Sequence, residues 1–488
     1  MNNVVPSLAF TLVLVSLSGT AHGEESSKTL TAAEAVSIAL KNNPSLAAVA
    51  SQVKSAKASV DSEEGRYKPT LLVNAGVTRT QTPSITRNNV LSPVTNQAIA
   101  NAEVKKHLSF GTDVSVKVET TRTTQQTLFN PSEGTLFQSN PGYGLAGRLT
   151  VTQPLLRGFG RDVNLASLDA AKLQEESSGH QRDQSASQLV RDVLLSYWDL
   201  WYAGQSSSIE RAARDVAVKQ RDDTRARIAT GSVAPVDVLS FETQIATREE
   251  SIAAAELEQQ TRRTELERLL GQSLREAGPS DALTPPAPAA PIGNLVEEAE
   301  AQSPEIQQLK TALELAETQA KTAADAYRAR LDVEGYVQGQ GLTSQNTTNA
   351  YQLGSGVSGH VGVIYELPLA GGRRSAEFEK SQLAVEVARN NLAAARQRLT
   401  ADITKAQQQL TTARRKLELS QSTTKIAEDQ LAAEQARYRT GTSTPFQVVQ
   451  AEDQVRSARL RVARARVDLV QAHVALLHNT GRLLKEAI

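Results

Sequence analysis

The chain has 488 residues, no cysteine, and 53 basic against 53 acidic side chains, so its formal net charge is zero. Apolar residues make up 40% and aromatics only 4%, a composition of long helices rather than of a globular enzyme. The balanced charge without a basic block argues against nucleic acid as a partner. Absence of cysteine excludes disulfides, thiolate zinc sites and lipid attachment through Cys.

The first 23 residues carry no charged side chain, and an apolar run from Leu8 to Leu17 precedes small residues ending at Gly23 and then Glu24-Glu25. This is the pattern of a secretory signal peptide over 1–23, although the n-region lacks Lys and Arg; a disordered or buried N-terminal segment is the other reading. No later stretch reaches the ~18 apolar residues of a membrane helix.

Thr29 to Tyr67 reads as helix, with Thr31 as cap and Glu34 as its capping-box partner. Pro44, after Asn42-Asn43, divides it into a short helix and a longer one. Alternation follows, with Leu71, Val73, Ala75 and Val77 on one face and Asn74, Gly76 and Thr78 on the other. Residues 82–100 read as a polar loop. Val114, Val116 and Val118 alternate with Asp113, Ser115, Lys117 and Glu119, a strand over 112–120. Residues 125–143 read as a second loop, and Leu145, Gly147, Leu149 and Val151 alternate before Gln153-Pro154. From about Val163 to Arg227 there is no Pro, which predicts a helix of about 65 residues and ~97 Å. A turn follows, and then a shorter helix to Leu270-Gly271. Residues 278–293 are a Pro/Ala-rich, extended linker.

The order then restarts. Pro44 matches Pro304 and Tyr67 matches Tyr327 at an offset of 260, whereas Pro154-Leu155 matches Pro368-Leu369 at 214. The first copy thus holds 46 more residues between its strands. The second copy's return strand is expected over Tyr351–Glu366 and its long helix over about Ser375–Arg437. In that helix Val385, Leu392 and Leu399 fall seven apart, as do Ile403, Leu410 and Leu417, the period of supercoiled helix packing. The chain divides into repeat 1 (24–271), linker (272–293) and repeat 2 (294–488).

The two helix turns are the best-matched part of the duplication. Residues 227–244 and 437–454 share Arg227/Arg437, Thr230/Thr440, Gly231/Gly441, Pro235/Pro445, Val238/Val448, Glu242/Glu452 and Gln244/Gln454, all at an offset of 210. Gly231 and Gly441 suit the left-handed residue ending one helix, and Pro235 and Pro445 the first turn of the next.

Strands alternating over ~9–11 positions have the length that crosses a bilayer when tilted. Four to six of them cannot close a barrel alone, and open edges are not tolerated in lipid. A wall shared between chains is therefore expected, with the rods extending it as a tube. The other reading is a soluble coiled-coil scaffold or adaptor with extended loops.

Asn42-Asn43-Pro44, Tyr67-x-Pro69, Gln153-Pro154-Leu155 before Gly158-Phe159-Gly160, and the doubled Thr-Gly-x-x-x-Pro turn together resemble the TolC-like outer-membrane efflux proteins, over about 29–485. The resemblance implies a homotrimer with about four strands per chain, a twelve-stranded membrane β-barrel continued by a long α-helical coiled-coil barrel in the periplasm. It also implies docking to a periplasmic adaptor and an inner-membrane pump, and contact with outer-membrane lipid. Arg227, Thr230, Gly231, Pro235, Arg437, Thr440, Gly441 and Pro445 would form the periplasmic tip and adaptor contact. Asp237, Tyr438, Gln447 and Gln450 would line the entrance; for Asp237, an ordinary first-turn residue favoured by the helix dipole is the competing role. Ser443, Gln447 and Gln450 stand where the best-known member places an Arg and acidic rings, so that lock is not carried over. The insertion at 101–124 is read as an optional extra hairpin that would raise the count to six strands per chain; four is preferred.

Catalytic chemistry finds no constellation. Gly142-Tyr143-Gly144-Leu145-Ala146-Gly147 matches a dinucleotide fingerprint in letters, but enters a strand instead of opening a helix. His473 and His478 are five apart without a carboxylate between them at helical spacing, so no metal site follows. The expectation is a protein that is not an enzyme and needs no cofactor. Tyr197-Trp198-Asp199-Leu200-Trp201-Tyr202 reads as packing at the waist of the tube rather than as a membrane-interface belt.

Overall fold

The structure, a computed structural model, describes residues 30–86, 89–91, 94–130, 135–138, 141–231, 234–274, 278–279, 292–344, 356–367 and 372–486. The expected signal peptide, most of the Pro/Ala linker, Ser232-Val233, Tyr351, Leu353 and Pro368-Leu369 lie outside the described residues.

Repeat 1 opens with α1 (Ala32–Asn42) and α2 (Pro44–Gly65). Thr31 and Glu34 form the expected capping box. Asn43 explains the Asn-Asn-Pro motif: its Oδ1 accepts from Ser45 and Leu46 N–H to cap α2, while its Nδ2 donates to the Leu269 carbonyl. Strands β1 (Thr70–Gln81), β2 (Ser84–Thr86), β3 (Asn89–Leu91), β4 (Val94–His107), β5 (Asp113–Asn130), β6 (Thr135–Gln138) and β7 (Gly142–Pro154) follow. Then come α3 (Arg161–Asn164), the 64-residue α4 (Ala166–Ala229) and α5 (Val238–Leu270). Repeat 2 runs α6 (Ile292–Gln302), α7 (Pro304–Tyr327), β8 (Arg330–Thr343), β9 (Gly356–Glu366), the 67-residue α8 (Arg373–Arg439), α9 (Pro445–Asn479) and α10 (Leu483–Glu486).

One antiparallel sheet has the order β1-β4-β5-β7-β8-β9, with β6 paired to the far part of β5; β2 and β3 form a separate hairpin. The preference for four strands per chain is therefore corrected: the sheet path has six among the described residues. Residues 82–100 and 125–143 are expected as loops, yet β4 begins at Val94 and β5 runs on to Asn130, because the apolar face of β4 is written in weak letters. Ala98, Ala100 and Ala102 stand where β1 has Val77, Ala75 and Val73, and small residues signal a strand poorly.

Register carries each face across the whole sheet. Leu71 pairs with Val104, Val104 with Val116, Val116 with Leu149, Leu149 with Val337, and Val337 with Gly359. The next row, on the opposite face, is Thr70, Lys105, Ser115, Thr150, Tyr336 and His360. The valine face is exposed, with Val77 and Val361 each 81% accessible. Every acidic residue of the six strands, from Glu103, Asp113 and Glu119 to Asp332, Glu334 and Glu366, falls on the other face. GxGxxG residues 142–147 lie within β7, so their glycines serve a strand.

The strand ends at Thr70, Pro154, Arg330 and Glu366 all lead to helices, so the rods leave the sheet from one end. There the 101–124 insertion is tied down. Gly111, at φ +102°, sits so close to the Gly158 carbonyl that a Cβ would lie 2.3 Å from it. His107 contacts Asp113 and Asn164, and Phe110 O accepts from Gly160 N–H.

The main core lies midway along the rods. Val190, Val193, Tyr197, Trp198 and Leu200 of α4 pack with Val36 and Ala39 of α1, Leu266, Leu269 and Leu270 of α5, and Val467 and Val474 of α9. Tyr197 and Trp198 are thus packed in a helical core, as expected of packing rather than of a membrane-interface belt. Ile403, Leu410 and Leu417 of α8 form a second core with Leu295, Ala465, Leu469 and Leu476. Gly271 (φ +68°) and Gly481 (φ +72°) each end the shorter helix of their repeat. A Cβ on Gly271 would lie 2.8 Å from Asn42 O, and one on Gly481 would lie 2.8 Å from Gln302 O. The duplicated glycine thus meets the duplicated helix end beside Pro44 and Pro304.

Candidate functional site

The paired turns at the far end of the rods form the candidate site. Helix α8 ends at Thr440 as C-cap, Gly441 takes φ +78°, and Thr442 N–H donates to Arg437 O at 2.9 Å while Gly441 N–H donates to Tyr438 O at 3.1 Å. This double closure is what a left-handed glycine permits. Thr444 then caps α9 with Gln447 as its reciprocal partner and Pro445 at the first position. The first turn uses the same chemistry less completely. Gly231 takes φ +69° and donates to Ile228 O, and a single 3-10 turn over Pro235–Asp237 leads into α5. Thr230 and Thr440 each donate their hydroxyl back to the carbonyl of Arg227 and Arg437.

The two turns are joined by Tyr438. Its hydroxyl lies 3.2 Å from Thr224 Oγ1 on α4, its ring is edge-on to the fully buried Phe241 on α5, and the Arg227 guanidinium lies 5.0 Å over its face. Tyr438 is therefore a clasp between repeats. Gln447 is taken up by the α9 cap, with Ser443 Oγ 2.8 Å from both its Oε1 and Glu434 Oε2. The Ser443 bond and Arg437 hold the Glu434 carboxyl below its ordinary range. Asp237 half-buries at the N-cap of α5 without a side-chain cap bond, and Gln450 is exposed one turn into α9. Among the described residues no group of three or more His, Asp or Glu is placed to hold a metal ion.

Sequence reasoning missed the cluster behind the turns. Arg248 of α5 bridges Glu210 of α4, at 3.7 Å, and Asp453 of α9, and Arg456 reaches Glu210 at 2.6 Å. Beside them Glu452 accepts from the amides of Gln220 and Gln244. Burial pushes the Glu452 carboxyl upward and the Arg248 guanidinium downward. Glu452 is the duplicate of half-buried Glu242, so the repeat offset marked the position without showing that Glu452 is the more deeply buried copy.

A sheet with one charge-poor exposed face, continuous with rods of ~96–100 Å, has counterparts among known proteins. The outer membrane efflux protein family model matches residues 35–272 and 295–482. The chain belongs to the outer membrane efflux protein family. The outer membrane efflux protein BepC of Brucella suis is 21% identical over 345 residues, which is 70% of this chain and 73% of BepC. Two solved structures share the fold of this efflux-family chain. They are the outer membrane protein VceC of Vibrio cholerae (TM-score 0.66, 16% identity, 92% of this chain and 96% of VceC) and the MtrE outer membrane channel of Neisseria gonorrhoeae in its open state (TM-score 0.66, 18% identity, 93% and 89%). Among the described residues of this efflux protein no helix is long and apolar enough to cross a membrane. The soluble-adaptor reading gives way to the family assignment.

Proposed function

We propose that this efflux-family chain is one of three in an outer-membrane exit duct. Its sheet forms a third of a barrel, its rods form a periplasmic tunnel, and an adaptor opens the Gly231 and Gly441 turns. The observation that carries this is the pair of open edges. β1 and β9 end the sheet, and in hydrocarbon their unpaired N–H and C=O groups each cost several kcal/mol, roughly. β9 of one copy against β1 of the next satisfies both, a head-to-tail contact that closes into a ring. Six strands from each of three copies give eighteen. The polar sheet face then lines the water path, and the valine face meets lipid. Adaptor and inner-membrane pump supply the energy and the cargo; the chain itself does no chemistry. At the other end, Tyr438 holds the two turns of one chain together, and loosening that clasp widens the entrance.

Planar-bilayer recording of the purified trimer tests this. Small, rarely open events that grow when the Tyr438 contacts are removed are expected; a trimer that never conducts, with or without such changes, refutes the duct.

A further inference from the structure

On the lipid-facing side of the sheet, the charged side chains among the described residues are Arg79, Arg122 and Lys106, and all three are basic and exposed. Their heights differ. Lys106 lies at the end from which the rods leave, whereas Arg79 and Arg122 lie near the opposite, loop-bearing end. Between them runs a charge-free band, Leu71 to Val77 on β1 and Val114 to Thr120 on β5. Neither arginine pairs with a carboxylate among the described residues. Arg122 instead lies 5.8 Å over the ring of Tyr143, an aromatic at the height where membrane proteins place their interfacial belt.

Two unpaired guanidiniums at the hydrocarbon edge fit phosphate, which takes two parallel N–H bonds from each. Spacing narrows the ligand. Arg79 stands in the row of Asn96 and Thr124, and Arg122 is two residues lower on β5, with β4 between the strands. Their Cα atoms are therefore roughly 12 Å apart, from two strand spacings and two residue rises. A single phosphodiester has two free oxygens, which one bidentate guanidinium already occupies, whereas a headgroup disaccharide with a phosphate at each end gives each arginine a bidentate partner of its own. We infer that Arg79 and Arg122 form a clamp, on the outer rim of the lipid-facing wall, for the two phosphates of a diphosphorylated outer-leaflet glycolipid of the lipid A type. The clamp rests on the orientation proposed above, with rods in the periplasm and strand loops outside.

Delipidated trimer in detergent is titrated with diphosphoryl lipid A, monophosphoryl lipid A and phosphatidylglycerol, and bound lipid is counted by native mass spectrometry. Diphosphoryl lipid A should bind at least 10-fold more tightly than either other lipid. R79Q/R122Q should remove that preference, K106Q should leave it unchanged, and R79K/R122K should retain part of it. Trimer retention on the gel and unchanged single-channel conductance show that the variants fold. Lipid A binding that survives R79Q/R122Q, or equal binding of phosphatidylglycerol to the native trimer, overturns the clamp while leaving the duct intact. A wild-type trimer that binds lipid A but never conducts sinks the duct reading instead.

Discussion

The hydroxyl of Tyr438, near the end of the second long rod, lies 3.2 Å from that of Thr224 on the first, so one hydrogen bond links the two repeats just behind their turns. Replacing Tyr438 by Phe removes that bond and keeps the ring against Phe241 and Arg227. The expected loss is about 1 kcal/mol, a modest rise in open probability. Tyr438→Ala removes all three contacts and should raise it much further. Bilayer recordings in which the two variants behave alike would show that the ring contributes nothing.

Gly271 and Gly481 combine a left-handed backbone with a carbonyl where a Cβ would sit. Either Gly→Ala change should cost at least ~1–2 kcal/mol and lower the melting temperature of the trimer. Gly179, inside α4 with open space around it, serves as the control, since Ala there should be neutral or stabilising.

The two faces of the sheet make opposite demands on charge. Val116→Arg puts a cation in the lipid-facing band and should cost about 2–4 kcal/mol near the midplane, enough to reduce assembled trimer in outer-membrane fractions. Ser115→Arg, one residue away on the polar face, should assemble normally and change ion selectivity. Equal assembly of both variants would contradict the assignment of faces.

Glu452 gives a pH signature. Its carboxyl is raised by burial, so the folded state holds the proton more tightly than the unfolded chain does. Its contribution to stability is complete below the ordinary carboxylate range and is lost as pH rises through the folded value. Relative to Glu452→Gln, the native protein should therefore lose melting temperature as pH climbs from 4.5. Gln220 and Gln244 each have a buried Oε1 without a hydrogen bond, and turning either amide satisfies the new Gln or a protonated Glu452. Parallel melting curves across pH would remove Glu452 from the account.

His478 has the opposite sign. Burial, with Arg191 beside it, lowers its pKa to about 4, and its Nδ1 lies 2.9 Å from Ser187 Oγ. The unfolded chain takes up a proton near 6.5 that the folded one refuses, so stability falls as pH drops from about 6.5 to 4. His478→Asn should flatten that decline in a melting series, and an unchanged slope would locate the acid sensitivity elsewhere.

Rods, turns and the waist were legible because each has strong local letters: unbroken runs without Pro, a Gly and a Pro at fixed spacing, and apolar residues seven apart. β4 was not, because Ala98, Ala100 and Ala102 stand where β1 supplies Val77, Ala75 and Val73. Register, not hydrophobicity, puts them on the valine face. At the turns the sequence pointed to Gly231 and Gly441 but not to Thr224 or Phe241, whose parts depend on which helices lie side by side. The Glu210, Arg248, Asp453 and Arg456 cluster was hidden for the same reason: its members come from three helices and resemble ordinary surface charges in the chain.

The insertion that brings β4 and β5 pairs with β1 and β7 along the sheet and meets the helical part at its base, near Gly111, Phe110 and the His107–Asn164 contact. Whole hairpins can thus be added to or deleted from the membrane portion while the waist contacts at Gly271 and Gly481 keep their geometry. In the duct proposed above, bore in the membrane and bore at the tip become separately adjustable, and a protein pruned of 94–130, with β1 rejoined to β7, is the natural starting point for a narrower duct on the same stem.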